Sequence, residues 1–162
     1  MIRQIASLGP IGHAPVAPGT LASAAAIPLA YGLHILGGFP LLLIATGGVA
    51  LLGWHATRVL TADGPADPSW IVIDEVAGQW VALWPLSAGL WAAGAAPTLF
   101  PWPGWVGAFV LFRLFDILKP GPVGWADRKG TPGAVMLDDL IAGALAALCV
   151  AAAAAFAHGL FL

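Results

Sequence analysis

Long apolar stretches alternate with short polar punctuation along this chain. No Asp, Glu, Lys or Arg occurs from Gln4 to Thr57, from Val76 to Phe112, or from Leu140 to Leu162. A membrane span needs only about 20 such residues, so each run has room for at least one. The pattern predicts about five hydrophobic segments. The first, from about Leu21 to Leu36, is short and broken by Pro28, so a re-entrant course competes with a full crossing. The second runs from about Phe39 to Thr57. The third starts at Pro68 and continues to about Gly94, the fourth covers Trp105 to Leu118, and the fifth runs from Pro132 to the C-terminus. The fold expected is an all-α, multi-pass membrane helical bundle forming a single domain over residues 1–162.

The connections carry the turn chemistry. Met1 to Thr20 is rich in Gly and Pro and almost uncharged, as suits an apolar loop packed at the membrane interface. Asp63-Gly64-Pro65 reads as a turn, and Asp67 as the cap of a helix opening at Pro68. Three prolines between Gly9 and Thr20 occupy the place where a cleavable signal would have its apolar core, so the spans themselves are expected to direct insertion.

Composition reinforces the pattern: 60% of residues are hydrophobic and 9% charged, far from a soluble average. The single cysteine, Cys149, excludes a disulfide within the chain and reads as an inert small apolar residue. No nucleic-acid partner is expected, since the chain has no basic stripe to suggest one. His34, His55 and His158 read as packing residues and the tryptophans as interface belt or core. Counting spans places Arg58, Arg113, Lys119, Arg128, Lys129 and all eight acids on one face of the membrane, joined by Arg3 if the first two segments both cross. The positive-inside rule makes that face cytoplasmic and leaves the C-terminus outside.

Against so few charges, two acidic blocks stand out: Ile73-Asp74-Glu75-Val76-Ala77-Gly78 and Leu137-Asp138-Asp139-Leu140-Ile141-Ala142-Gly143. Each is a carboxylate doublet followed by apolar residues, Ala and Gly. Asp67-Pro68 precedes Asp74 by seven residues and Thr131-Pro132 precedes Asp138 by the same seven, so both doublets are expected about two turns inside their helices. Adjacent carboxylates repel unless something positive lies beside them, most simply a divalent cation. Gly78 and Gly143, one turn further on, would let a ligand or a neighbouring backbone approach.

A third group, Arg113, Asp116 and Lys119 at the end of the fourth segment, belongs to the same face. Arg113 and Asp116 are three apart and share a helix side. Carboxylates with oxygen donors alone suit a hard cation, Mg²⁺ or Mn²⁺, better than zinc, for which no cysteine is nearby and the histidines are far off in sequence. Arg113, Lys119 and Arg128 supply charge for an anionic substrate, most naturally phosphate. Acids, a divalent metal and cations at a membrane surface together point to hydrolysis or transfer of a lipid phosphate. Two other readings stay open from the residues alone: a cation-coupled membrane transporter that uses the intramembrane acid pairs, and a helical assembly partner held together by ion pairs.

Four segments, Ala17-Pro18-Gly19-Thr20, Ile73 to Gly78, Phe112 to Pro120 and Met136 to Gly143, resemble the signature blocks of the phosphatidylglycerophosphatase A family, in that family's order and over nearly the whole chain. The resemblance implies a Mg²⁺-dependent phosphatase of the bacterial inner membrane that converts phosphatidylglycerophosphate to phosphatidylglycerol, with its site on the cytoplasmic side. It implies Asp74, Glu75, Asp138, Asp139 and Asp116 as catalytic residues, the first four as metal ligands, and Arg113 and Lys119 as phosphate-facing cations. Thr20 enters as a site residue on the resemblance alone, and Asp127-Arg128-Lys129 looks like the family's polar loop. The stretch Gly9 to Ala14 departs from the Ser- and Lys-containing form expected there.

Overall fold

The computed structural model describes residues 1–62 and 68–159, and every regular element among them is helical. In chain order these are α1 (Ile2–Ala6), a 3₁₀ turn (Ile11–His13), α2 (Pro18–Leu60), α3 (Ile73–Ala92), α4 (Trp102–Leu118), α5 (Pro122–Asp127) and α6 (Pro132–Gly159). Two helices, Pro18–Leu60 and Gly133–Gly159, are long and apolar enough to cross a membrane. The expected turn at Asp63-Gly64-Pro65 and the cap at Asp67 lie outside the described residues.

α2 is one continuous helix only by its hydrogen bonds. At Gly37 and Gly38 the backbone leaves helical geometry, with φ +63° at Gly38, a conformation glycine adopts without cost. The contacts on α3 show that the chain doubles back there. The first limb runs alongside α3 in the same direction: Gly19 lies against Glu75, the Trp80 indole donates to the Ala26 carbonyl (2.8 Å) and His34 Nδ1 is 2.8 Å from Ser87 Oγ. The second limb runs the opposite way, with Gly38 against Trp91, Trp84 donating to Thr46 Oγ1 (3.2 Å) and Gly53 against Ile73. The expected division between two segments therefore falls where the spacing placed it. Pro28, by contrast, does not break the helix: it lies inside the first limb, as Pro85 lies inside α3.

α3 is the central post. Ile73, Asp74, Val76 to Leu83 and Ser87 are buried, on all sides of the helix, because α2, α4 and α6 all pack against it. Its start corrects the sequence reading. The segment 68–72 is not helical; the Val72 amide donates to the Ala6 carbonyl (2.9 Å), and Ile71 and Val72 are buried. Tying this segment to α1 delays the helix to Ile73, so Asp74 and Glu75 occupy its first turn rather than its third. α6 does start at Pro132, leaving Asp138 about 9 Å from its end.

Glycines set the α3–α6 crossing. A Cβ on Gly143 would run into the Gly78 carbonyl, and one on Gly78 would meet the Phe112 ring and, at 2.6 Å, the Asp139 carbonyl. What the two glycines admit is the neighbouring helix backbone. The outer surface stays apolar, with Leu29, Leu43, Ile44, Leu51, Leu52, Leu148 and Phe156 all exposed. Cys149 is exposed on the same apolar surface of α6.

Candidate active site

The glycine crossing brings the two doublets together one turn above it. Asp74, Glu75 and Asp139 each offer a carboxylate oxygen, and the three oxygens lie within 4.8 Å of one another. They line a cleft of about 360 Å³ that also receives Thr20 from the start of α2, Arg113, Asp116 and Lys119 from the end of α4, and Asp138. Of the residues expected at the site, Arg128 alone falls elsewhere: it is exposed at the end of α5, its guanidinium near Gly124, and does not line the cleft.

Each cation is held by acids. Arg113 Nη1 pairs with Asp116 Oδ2 at 2.7 Å, one turn along α4, and reaches Ser23 Oγ at 3.5 Å. Lys119, at the left-handed C-cap of α4 (φ +46°), donates to Asp127 Oδ1 at 2.6 Å and to Asp138 Oδ2 at 2.5 Å. Burial works against the Lys119 charge, but the hydrogen bonds it donates to Asp127 and Asp138, with their negative charge, outweigh it and hold the ammonium above the ordinary lysine range. Lys119 is therefore charged at any physiological pH. Asp138, expected among the metal ligands, turns to Lys119 and is not one of the three clustered carboxylates.

The start of α2 closes the remaining side. Ala17 adopts a left-handed conformation (φ 47°), Pro18 opens the helix, and the Gly19 and Thr20 amides have no carbonyl one turn back to bond. Glu75 Oε1 packs so closely on Gly19 that any Cβ there would collide with it. A helix N-terminus facing a cleft is favourable to negative charge.

The donor set suits a hard divalent cation: three carboxylates in reach of one another, no sulfur or imidazole among the cleft residues, and a buried Glu75 oxygen, Oε2, without a hydrogen-bond partner. One turn below Glu75, Gln79 is fully buried, and neither of its amide atoms has a hydrogen-bond partner. Sequence reasoning missed Gln79, Ser23, and Asp127 as the second anchor of Lys119. Gln79 had a signal, lying four residues after Glu75 and so on the same side of α3. Ser23 had none, because its partner is distant in the chain, and Asp127 was marked only by its place in the polar loop, which does not point to Lys119.

Residues 4–154 match the family profile described as Phosphatidylglycerophosphatase A. Phosphatidylglycerophosphatase A of Escherichia coli is 33% identical over 84% of this chain and 73% of its own length. The protein of the same name from Haemophilus influenzae is 36% identical over 92% of this chain and 91% of its own length. A putative phosphatidylinositol-3-phosphatase of Bacteroides thetaiotaomicron is 35% identical over 88% and 86%. No solved structure matches the chain.

Proposed function

The chain belongs to the phosphatidylglycerophosphatase A family of phosphoric monoester hydrolases, and on that premise we propose that it hydrolyses phosphatidylglycerophosphate to phosphatidylglycerol and phosphate, with Mg²⁺, at the cytoplasmic face of a bacterial inner membrane. The observation that carries this reading is the meeting of Asp74, Glu75 and Asp139 in a cleft that also holds Arg113 and Lys119. Those three carboxylates would hold Mg²⁺. When bound, the cation supplies Lewis-acid polarisation of the phosphoryl group.

The chain's own residues do the rest. Arg113 and Lys119 receive the phosphate oxygens, each kept in position by carboxylates: Asp116 for the first, Asp127 and Asp138 for the second. The free amides of Gly19 and Thr20 add donors from the opposite wall. Water attacks phosphorus and its proton passes to a cleft carboxylate. The ester bond breaks with its electron pair going to the glycerol oxygen, and that oxygen takes a proton back from the carboxylate to leave as the alcohol. Burial of Asp74 and Asp139, each 5% exposed or less, keeps competing water away from this arrangement.

A membrane setting with about five crossing segments accounts for the exposed apolar surface and for the cations outside the cleft. Arg3 lies over Trp70, Arg58 over Trp54 and Lys129 over Trp125, all at the cleft end of the bundle, the pairing expected where headgroups meet hydrocarbon. The gathering of Lys and Arg at that end supports the cytoplasmic reading. Reading the acids as the ion path of a transporter finds little support, because they gather at one end, while the other end holds His34 bonded to Ser87.

Phosphate release from phosphatidylglycerophosphate in mixed micelles, with Mg²⁺ titrated and phosphatidylinositol 3-phosphate assayed beside it, tests the reading. Release from the first lipid that requires Mg²⁺ and disappears in Asp139→Asn is expected. No release from the first lipid at any Mg²⁺ concentration would contradict it, and preference for the second would move the substrate to the inositol lipid.

A further inference from the structure

A second cavity lies further down the bundle, about 560 Å³ in volume and lined by Ala24, Ile27 and Tyr31 of α2 with Phe100, Trp105 and Phe109 around α4. It lies on the same seam as the catalytic cleft, separated from it where Arg113 reaches Ser23. Thr20 lines the cleft and Ala24, four residues on, lines the groove; Arg113 lines the cleft and Phe109, four residues back, lines the groove. Four residues is one helical turn on one face, so on both walls the two cavities are a single turn apart, about 5 Å. Both walls are the same seam, between the first limb of α2 and α4, and its interior is aliphatic and aromatic. The far end is closed by Tyr31, whose hydroxyl donates to the Thr98 carbonyl at 2.9 Å and whose ring lies 5.2 Å from that of Phe100. From Thr20 to Tyr31 the helix rises about 16 Å, much of the length of an extended acyl chain.

We propose that this seam is an acyl-chain site: one fatty-acyl chain of the lipid substrate lies between α2 and α4 while its phosphorylated headgroup occupies the cleft. The inference rests on the lipid-phosphatase reading above and adds to it how the substrate is held. Lipid tails are as apolar as the groove, so moving a chain into it from the bilayer brings little hydrophobic gain. What the groove contributes is orientation. A chain fixed between Ala24 and Phe109 sets the depth and angle at which the headgroup meets Arg113 and Lys119, and such positioning governs rate as much as affinity. The small side chain of Ala24 leaves room at the end of the groove nearest the cleft.

Two measurements test this. The first compares kcat/KM for diacyl phosphatidylglycerophosphate with kcat/KM for its deacylated, water-soluble headgroup, in wild type and in the groove-filling variants Ala24→Phe and Ile27→Trp. The ratio of the two is expected to fall about tenfold in each variant; because it is a ratio, loss of folded protein does not move it. An unchanged ratio in both variants overturns the acyl site. The second needs no turnover: phosphatidylglycerophosphate with a photoreactive diazirine in mid-chain, in phosphatidylcholine vesicles, is cross-linked to wild type. Label on Tyr31, Trp105 or Phe109 is expected, and label spread evenly over the lipid-facing surface, with Leu43 and Leu148 as prominent, overturns the proposal. Absence of phosphate release from either compound by the wild type would instead refute the phosphatase reading, and the cross-link would still report on the groove.

Discussion

The two acidic doublets are nearly the same in sequence and occupy different structural settings. In both, the first carboxylate accepts a hydrogen bond from the amide of the next residue, Glu75 to Asp74 and Asp139 to Asp138, each at 3.1 Å. In α3 that amide belongs to the first turn and has no carbonyl behind it, so the doublet satisfies an otherwise unpaired helix-end amide and is favoured by the dipole. In α6 the doublet lies two turns inside, where the amide already has a helical partner and the dipole gives no help. Asp138 is stabilised there by Lys119 and Asp139 is buried against the α3 acids. One motif thus supplies two functions: α3 contributes a pair that the helix end itself stabilises, while α6 contributes one acid to the three-carboxylate group and one to the lysine.

If the doublets differ in this way, their members are not interchangeable. Asp139→Asn removes an oxygen from the cluster and is expected to lower phosphate release at least about a hundredfold, the scale seen when one preorganised charge-stabilising group is lost. Gly143→Val attacks the crossing that aligns the doublets: its side chain collides with the Gly78 carbonyl, and a stability loss of about 1–3 kcal/mol, read as a lower thermal midpoint in detergent, should accompany most of the activity loss. Lys119→Met leaves Asp138 buried without its cation and should cost about 10–100-fold in activity, whereas Asp138→Asn, which leaves Lys119 its bond to Asp127, should cost several times less. Equal losses from Asp138→Asn and Asp139→Asn would erase the division of labour. Arg128→Ala, outside the cleft, is expected to change activity less than about twofold, since surface changes away from a site are close to neutral.

Much of this arrangement was legible in the sequence, for reasons that can be named. Helical segments followed from charge-free runs, and the division at residues 37 and 38 from the gap between two apolar stretches. The Pro132 start of α6 obeyed its local signal. The same signal at Pro68 failed because α1 claims the following residues, with Ala6 accepting from Val72. Pro28 failed as a breaker because a missing hydrogen bond does not stop a helix packed against α3. Within the site, the residues that meet were readable as acidic blocks, but their partners were not: Asp127 reaches Lys119 across the α4–α5 turn, and Ser23 reaches Arg113 across 90 residues of chain. Arg128, expected at the site as a cation of the same membrane face, does not line the cleft, because sharing a face does not bring a side chain at the end of α5 to the α3–α6 crossing.

The central claim, that Asp74, Glu75 and Asp139 form one divalent-cation site, is tested most directly by Mn²⁺ titration followed by electron paramagnetic resonance on the detergent-solubilised protein. Wild type and Asp127→Asn should bind the ion alike, and Asp139→Asn should bind it at least about tenfold more weakly. Equal Mn²⁺ binding by wild type and Asp139→Asn would contradict the account.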